Sequence, residues 1–218
     1  MATELKTGTL RPPKAPNLPI GPVEYSQEYQ DQFSNVLRLY FNQLDNFDSG
    51  LVTGAGGSSI QFPYGAFSSY SSQTTTANTA TLMALDTTDF SNGVSISGSK
   101  ITAVNPGIYN LQFSAQFQNT DNAIQDISIW LRQNGVDIAG STGLVSIPAR
   151  KSASAGGEAH QITGWNYYVS MDANDYIQIY WSTTLASVTI QTYAASVAPV
   201  RPSTASVVAT MSFVSAPN

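Results

Sequence analysis

The chain has 218 residues, only 11% of them charged, and a formal net charge of -5. This length allows one domain with a sizeable core and a short appended element. With 9 Lys and Arg against 14 Asp and Glu, the chain offers no basic stripe able to neutralise a run of phosphates, so nucleic acid is not an expected partner.

Cysteine is absent, so packing or oligomerisation must stabilise the fold in place of disulfides or thiolate zinc sites. The first residues lack a basic segment followed by an apolar run, and no stretch approaches the roughly 18 apolar residues of a membrane span. We therefore expect neither a cleaved signal peptide nor membrane insertion.

Residues 1–23 are predicted to form an extended arm, because prolines fix φ and remove backbone donors. The prolines are Pro12, Pro13, Pro16, Pro19 and Pro22. Leu18, Ile20 and Val23 are apolar and would be better placed on a partner surface than in water. A disordered tail is the alternative, since chain termini are commonly loose.

Residues 26–47 have the period of an amphipathic helix, with Ser26 as its N-cap. Apolar residues follow a spacing of four, three, four and three, as in a short coiled-coil seam, at Phe33, Leu37, Tyr40, Leu44 and Phe47. Phe41 widens this stripe, together with Val36 and Leu39. Packing between copies and packing on the chain's own domain are both open, and either one buries the stripe.

Residues 48–80 are rich in glycine, serine and threonine and are predicted to be a linker, although residues 60–70 carry aromatic side chains that suit an ordered loop. Residues 81–218 are predicted to be a β domain with almost no helix. Its strand segments are rich in β-branched and aromatic residues, at Leu82–Leu85, Val94–Ile96, Ile101–Val104, Ile108–Gln118, Ile127–Arg132, Val136–Ile138, Thr163–Ser170, Tyr176–Ser182, Val188–Tyr193 and Val207–Val214.

Turn residues separate these strands, and Asn134-Gly135 between two apolar runs is the signature of a tight hairpin. The sequence thus predicts a mainly β fold: an antiparallel jelly-roll sandwich with an N-terminal extended arm and one amphipathic helix. Strict alternation along residues 107–118 places one set of side chains inside. The residues predicted for the core or a subunit interface are Tyr109, Leu111, Phe113, Phe117, Tyr180 and Phe213.

No catalytic constellation is predicted, so we expect a non-enzymatic protein without a cofactor. The single histidine, His160, lies in a glycine-rich loop typical of surface residues, and no Gly-x-Ser-x-Gly nucleophile elbow is present. The carboxylates that could pair, or collect around Ca²⁺, fall at predicted turns where aspartate makes local hydrogen bonds. They are Asp121, Asp126, Asp172 and Asp175.

Six aromatic residues could alternatively build a sugar-binding platform, although in a sandwich such side chains more often fill the core or an interface. They are Trp130, Trp165, Trp181, Tyr167, Tyr168 and Tyr180.

Residues 107–113, followed by residues 129–135 and 169–179, resemble the jelly roll shared by tumour necrosis factor and the complement globular heads. The likeness covers about residues 80–216. Asn174 stands where that family usually has a glycine. The resemblance implies a homotrimer whose aromatic strand faces meet at the three-fold axis.

Residues 11–33 and 35–46 resemble the N-terminal segment of structural proteins from tailed phages of marine cyanobacteria and related hosts. In that family the segment precedes differing C-terminal domains, which implies a shared attachment module followed by an exposed head. The residues expected to anchor the chain to other virion proteins are Leu18, Ile20, Phe33, Leu37, Tyr40, Phe41 and Leu44.

The combined expectation is a virion protein that decorates or reinforces a capsid or another particle surface. Residues 1–47 anchor it, residues 48–80 link, and residues 81–218 form a trimeric head. The alternative is a short tail-associated fibre that recognises host-surface glycan or protein through its head loops. A third class, a hydrolase acting on envelope polysaccharide, requires a carboxylate pair in a groove, and the sequence identifies none.

Overall fold

The computed structural model describes residues 13–52, 62–154 and 156–216, with no side chains described for 49–52. The beginning of the predicted arm, residues 1–12, and part of the predicted linker, residues 53–61, lie outside the described residues. The chain divides into two compact units, Met1–Gln61 and Phe62–Asn218, which we call the N-terminal unit and the β unit.

The N-terminal unit contains a helix, α1 (Gln27–Val52), which begins where the sequence predicted and continues five residues beyond the predicted end at Phe47. The backbone N–H of Tyr29 donates to Ser26 Oγ at 3.2 Å, so Ser26 is the N-cap. The Tyr29 hydroxyl donates to the carbonyl of Pro19 at 3.3 Å, and the Tyr29 ring stacks on Phe33 with centroids 6.1 Å apart. The arm is therefore held against the first turn of the helix.

The described part of the β unit is built from strands, as predicted. In chain order they are β1 (Tyr64–Ser69), β2 (Thr81–Leu82), β3 (Thr87–Asn92), β4 (Val94–Ser97), β5 (Lys100–Ala103), β6 (Gly107–Asn119), β7 (Gln125–Gln133), β8 (Val136–Asp137), β9 (Gly143–Ile147), β10 (Ala159–Met171), β11 (Tyr176–Thr183), β12 (Val188–Ile190), β13 (Ser196–Val197), β14 (Val200–Arg201) and β15 (Val207–Ser215).

The strands of the described ranges form two main antiparallel sheets and one small hairpin. The first sheet has the order β10-β6-β15-β1-β3, with β12 also paired to β6. The second has the order β4-β5-β11-β7-β8, with β2 added to β11 and β9 added to β7. From β5 onward the chain crosses repeatedly between the sheets: β6 belongs to the first, β7 to β9 to the second, β10 to the first, β11 to the second, and β12 and β15 to the first.

One core fills the space between the two sheets, and the alternation of β6 places every second side chain of that strand in it. Tyr109, Leu111 and Phe117 are almost completely buried. The second sheet contributes equally buried side chains, and the ring of Trp181 meets Phe117 edge to face with centroids 5.6 Å apart. Chain-distant strands are thereby joined through apolar burial.

Tight turns close the hairpins as the sequence indicates. Asn134 and Gly135 both have positive φ, 50° and 84°, as a type I′ turn requires, and Gln133 pairs with Val136 across the hairpin. Asn174 also has positive φ, 68°, so asparagine here provides the left-handed conformation that glycine usually supplies.

The predicted boundary between linker and β domain requires correction. The β unit begins at Phe62, and β1 is an interior strand of the first sheet, between β15 and β3. The Phe67 side chain on β1 is completely buried. Residues 62–80, which were predicted to belong to the linker, are therefore part of the sandwich.

Candidate functional site

The arm exposes apolar side chains that its own unit does not cover. Ile20 is 95% exposed and Val23 is fully exposed, while Leu18 is about half exposed. An exposed aliphatic side chain gains roughly 25 cal/mol for each Å² of apolar surface that a partner removes from water. These residues have the chemistry expected of an attachment segment.

The apolar stripe of the helix is only partly covered. Phe33, Leu37, Tyr40 and Leu44 have intermediate exposure, and Phe41 is 56% exposed. No described residue of the N-terminal unit is buried. The stripe is therefore available to a partner, as the arm is.

The aromatic residues predicted for the core or an interface lie inside the β unit. Tyr109, Leu111, Phe113 and Phe117 point between the two sheets and are buried, and Phe213 packs its ring against Tyr109 at 5.6 Å. The implied meeting of aromatic strand faces at a three-fold axis is wrong for these side chains, because both sheets of one chain already enclose them.

Tyr180, by contrast, lies outside the core on the second sheet and is half-buried. Its ring stacks on Trp130 at 6.0 Å, and the guanidinium of Arg132 lies 3.9 Å from its centroid. Asp137 accepts hydrogen bonds from Arg132 at 2.7 Å and from the Trp130 indole at 2.8 Å, and these two bonds hold its pKa below the ordinary value. The charges of Arg132 and Asp137 are thus paired with each other within this cluster.

The tryptophans do not form a shared platform. Trp181 is buried in the core, and Trp165 packs edge to face on Phe113 at 4.8 Å, while Trp130 belongs to the surface cluster on the other sheet. The single sugar-binding surface built from all the aromatics is therefore excluded.

The candidate carboxylate pairs serve the turns. The Asp175 carboxylate accepts from the backbone N–H of Asp172 at 2.9 Å, and the Asp121 carboxylate accepts from the backbone N–H of Asn122 at 2.6 Å. Asp126 is the second residue of β7, and Asp175 lies beyond the far end of this strand, roughly 24 Å away at about 3.4 Å per residue. The four aspartates cannot surround one ion.

Within the described residues, no group of three or more His, Asp or Glu side chains has the arrangement to hold a metal ion. No helix of the described ranges is long and apolar enough to cross a bilayer.

The first sheet has an outer surface of unusual composition. Strands β1, β6, β10, β12 and β15 contain no Asp, Glu, Lys or Arg. We use the term neutral face for the outward side chains of its three longest strands away from the β6 end that carries Gln116 and Gln118: Asn110, Gln112, Ser114, Ile162, Asn166, Tyr168, Ser170, Val208, Thr210 and Ser212.

The neutral face combines amides and hydroxyls with exposed apolar groups. Ile162 and Tyr168 are both more than half exposed. A shallow groove of about 510 Å³ crosses β6 and β10 around Gly164, where an added Cβ would collide with the backbone of Phe113. The Asn110 side-chain oxygen is buried and has no donor within the described residues. These are properties of a surface suited to contact.

A second cleft, of about 280 Å³, lies at the end of the neutral face. We call it the Arg201 cleft, and its lining residues are Gln116, His160, Tyr193, Arg201 and Thr204. Pairing of β6 with β10 places the first two, and backbone hydrogen bonds between Tyr193 and Thr204 place the others.

Tyr193 is the centre of the Arg201 cleft. Its hydroxyl is 3.0 Å from His160 Nδ1, and the guanidinium of Arg201 lies 5.4 Å from its ring centroid. Burial raises the pKa of the Tyr193 hydroxyl, and the nearby Glu158 carboxylate adds to the increase. Tyr193 therefore remains a neutral hydroxyl at physiological pH.

Sequence reasoning treated His160 as a lone surface residue and did not consider Tyr193 or Arg201. No short motif joins these positions, so only the long-range pairing brings them together. The exposed apolar residues of the arm and helix, by contrast, could be listed directly from their spacing in the sequence. Comparison of the sequence with models of protein families, and with curated proteins, finds no match.

Proposed function

We propose that this protein is a non-enzymatic structural component of a phage virion, attached through residues 1–47 and displaying its β unit as an exposed head. The proposal rests on a difference between the two units in how far they bury their apolar side chains. The β unit encloses its own core, whereas the N-terminal unit has an apolar arm and stripe with no buried residue in its described part. Such a segment needs a partner surface.

Because residues 11–47 resemble a segment of structural proteins of tailed phages, we infer that this partner is another virion protein. Decoration or reinforcement of the particle surface is the role that fits best.

The strand order and the alternation of the chain between sheets support a jelly-roll topology for the head, and with it the resemblance to the trimeric families. In the proposed homotrimer, the neutral face replaces the aromatic faces as the contact between copies. Its lack of charge matters because identical copies would otherwise place like charges together.

The outer surface of the first sheet provides a large part of the area that such a contact needs. The four adjacent uncharged strands, β10, β6, β15 and β1, have an outer surface of roughly 700 Å² in total. This area follows because strands lie about 4.8 Å apart and rise about 3.4 Å per residue. A stable interface buries about 800 Å² on each partner. The edges of the sandwich would supply the remainder.

A short fibre that recognises a host surface is the second candidate, and one observation favours it. The hairpin of β13 and β14 exposes Val197 to 90% and Val200 to 86% at its tip. Isolated apolar tips of this kind are suited to contact with another macromolecule.

Two matched valine variants test the attachment role. In particles assembled with each variant as the sole copy, Val23→Asp should lower the amount of bound protein by about 10-fold, because burying a valine contributes roughly 2 kcal/mol and the new charge opposes burial. Val197→Asp, equally exposed but on the head, should leave incorporation unchanged.

Quantitative protein analysis of purified particles and an electron-microscopy reconstruction provide the readouts. Normal incorporation of Val23→Asp would contradict the anchor assignment. Many copies over the shell support decoration, whereas a few copies at the tail, with host adsorption reduced by Val197→Asp, support the fibre.

A further inference from the structure

The Arg201 cleft contains a guanidinium that forms no ion pair with any carboxylate of the described residues. The ion pair found among the described residues is that of Arg132 with Asp137, and none involves Arg201. Arg201 uses one guanidinium N–H to donate to the carbonyl of Ala194 at 3.0 Å, which fixes its position. The remaining donors of the guanidinium fork are free to bind an anion.

Further polar groups of the cleft also lack partners. Thr204 Oγ1 is buried and has no hydrogen-bond partner within the described residues, although its backbone is fully engaged with Tyr193. The side-chain amide of Gln116 likewise makes no hydrogen bond in the described structure, whereas its backbone N–H donates to Ser206. A buried hydroxyl without a partner is unfavourable, and a ligand that reaches it and bonds to it would remove that cost.

The composition of the cleft defines the ligand chemistry. A carboxylate satisfies Arg201 in the bidentate geometry that guanidinium favours. Ring hydroxyls satisfy Thr204 and Gln116, which both donate and accept. The Tyr193 ring offers an apolar edge for the carbon skeleton, and the nearby Glu158 carboxylate disfavours a multiply charged anion.

The cleft volume of about 280 Å³ lies just below the usual range of small-molecule sites and is suited to one sugar unit rather than a chain. We propose that the Arg201 cleft binds a hexuronic acid unit, a sugar ring bearing a single carboxylate. The biological use of this site, contact of an exposed head with acidic polysaccharide, rests on the proposed function, but the binding itself does not.

Ligand-observed NMR and calorimetry on the full chain test the site with glucuronate and galacturonate as probes. Glucose and inorganic phosphate are the neutral and multiply charged comparisons. At least one uronate should bind about 10-fold more tightly than both, since a charge-assisted bidentate contact contributes on the order of 1.4 kcal/mol or more.

Arg201→Gln should weaken uronate binding by about 10-fold and remove the preference over glucose. Thr204→Val, which keeps the shape and the backbone bonds, should weaken it by several-fold. Arg132→Gln is the matched control, because Arg132 also lies over a tyrosine ring but is paired with Asp137. It should bind like the wild type.

The proposal is overturned if neither uronate binds, if glucose or phosphate binds as tightly, or if Arg132→Gln loses as much affinity as Arg201→Gln. Far-UV circular dichroism identifies any variant that fails to fold. If Arg201→Gln is such a variant, the uronate affinity of Thr204→Val decides the outcome. The Val23→Asp variant should bind uronate like the wild type whether or not it joins particles. The attachment proposal and the uronate proposal can therefore fail independently of each other.

Discussion

At the scale of single residues, the turn before β11 illustrates how this chain uses aspartate. The Asp175 carboxylate accepts hydrogen bonds from the backbone N–H of Asp172 and from the side chains of Asn134 and Gln133. It thereby ties the β7–β8 turn to the β10–β11 turn. These bonds, led by the one from Asp172, hold the pKa of Asp175 below its ordinary value of 3.8.

The lowered pKa predicts a specific acid sensitivity. Because the folded state favours the ionised carboxylate, its contribution to stability is present above the ordinary pKa and is lost as pH falls through the lowered folded pKa. Asp175→Asn should cost roughly 1 kcal/mol near neutral pH, and its Tm should approach that of the wild type as the pH falls below the ordinary value of 3.8 and through the lowered folded pKa. Thermal melts across this pH range measure the effect.

Asp172→Asn is the matched control, since the exposed Asp172 carboxylate makes no hydrogen bond in the described structure while its backbone N–H serves Asp175. It should melt like the wild type at every pH. A deficit of Asp175→Asn that persists unchanged in acid would contradict the assignment.

At the scale of elements, the neutral face predicts how copies of the chain associate. Ser114 lies on β6 within this face, opposite Gly164 and Val208, and Ser128 lies on β7 on the outer side of the second sheet. If the chain forms the proposed homotrimer, Ser114→Arg should convert it to monomers, because three like charges would be buried together, whereas Ser128→Arg should leave it trimeric.

Sedimentation velocity on the wild type and both variants measures the mass. A monomeric wild type would refute the homotrimer. A Ser114→Arg protein that remains fully trimeric would show that copies meet through another surface.

Strands with strong alternation or dense apolar content were predictable from the sequence. The predicted segment Ile108–Gln118 differs from β6 by one residue at each end. β1 was missed because it follows Pro63, includes Gly65 and is buried at almost every position, so it has no period of two. β3 was missed because it is an exposed edge strand with a polar sequence, and its pairing with β1 decides its conformation.

Periodicity also could not decide what covers an apolar face. The alternation of Tyr109, Leu111 and Phe113 predicts burial, but the same pattern arises whether the covering sheet belongs to the same chain or to another. The Arg201 cleft was beyond sequence reasoning for a different reason. His160 and Arg201 are distant along the chain and meet through pairing of β6, β10 and the segments that carry Tyr193 and Thr204.

At the scale of the whole molecule, the two units differ in the burial of their apolar residues. The apolar residues that are buried all lie in the β unit, at or after Ala66, within the part of the chain that the structure describes. Folding energy is thus concentrated in the β unit, whereas the described part of the N-terminal unit leaves its apolar side chains exposed or only partly covered.

A fragment that begins at Phe62 should therefore fold alone and melt cooperatively within about 3 °C of the full chain, a difference of roughly 1 kcal/mol or less. A fragment that begins at Thr81, the boundary expected from sequence, lacks β1 and its buried Phe67 and should lose the cooperative transition. Calorimetry distinguishes them. Equal melting of both fragments would contradict the placement of β1 in the sheet.

The bond from the Phe213 N–H to the Pro63 carbonyl, at 2.8 Å, places the start of the β unit beside its final strand. A peptide inserted near the end of the final strand would consequently emerge beside the first residues of the β unit. Loops remote from that junction would hold a foreign peptide apart from the start of the unit.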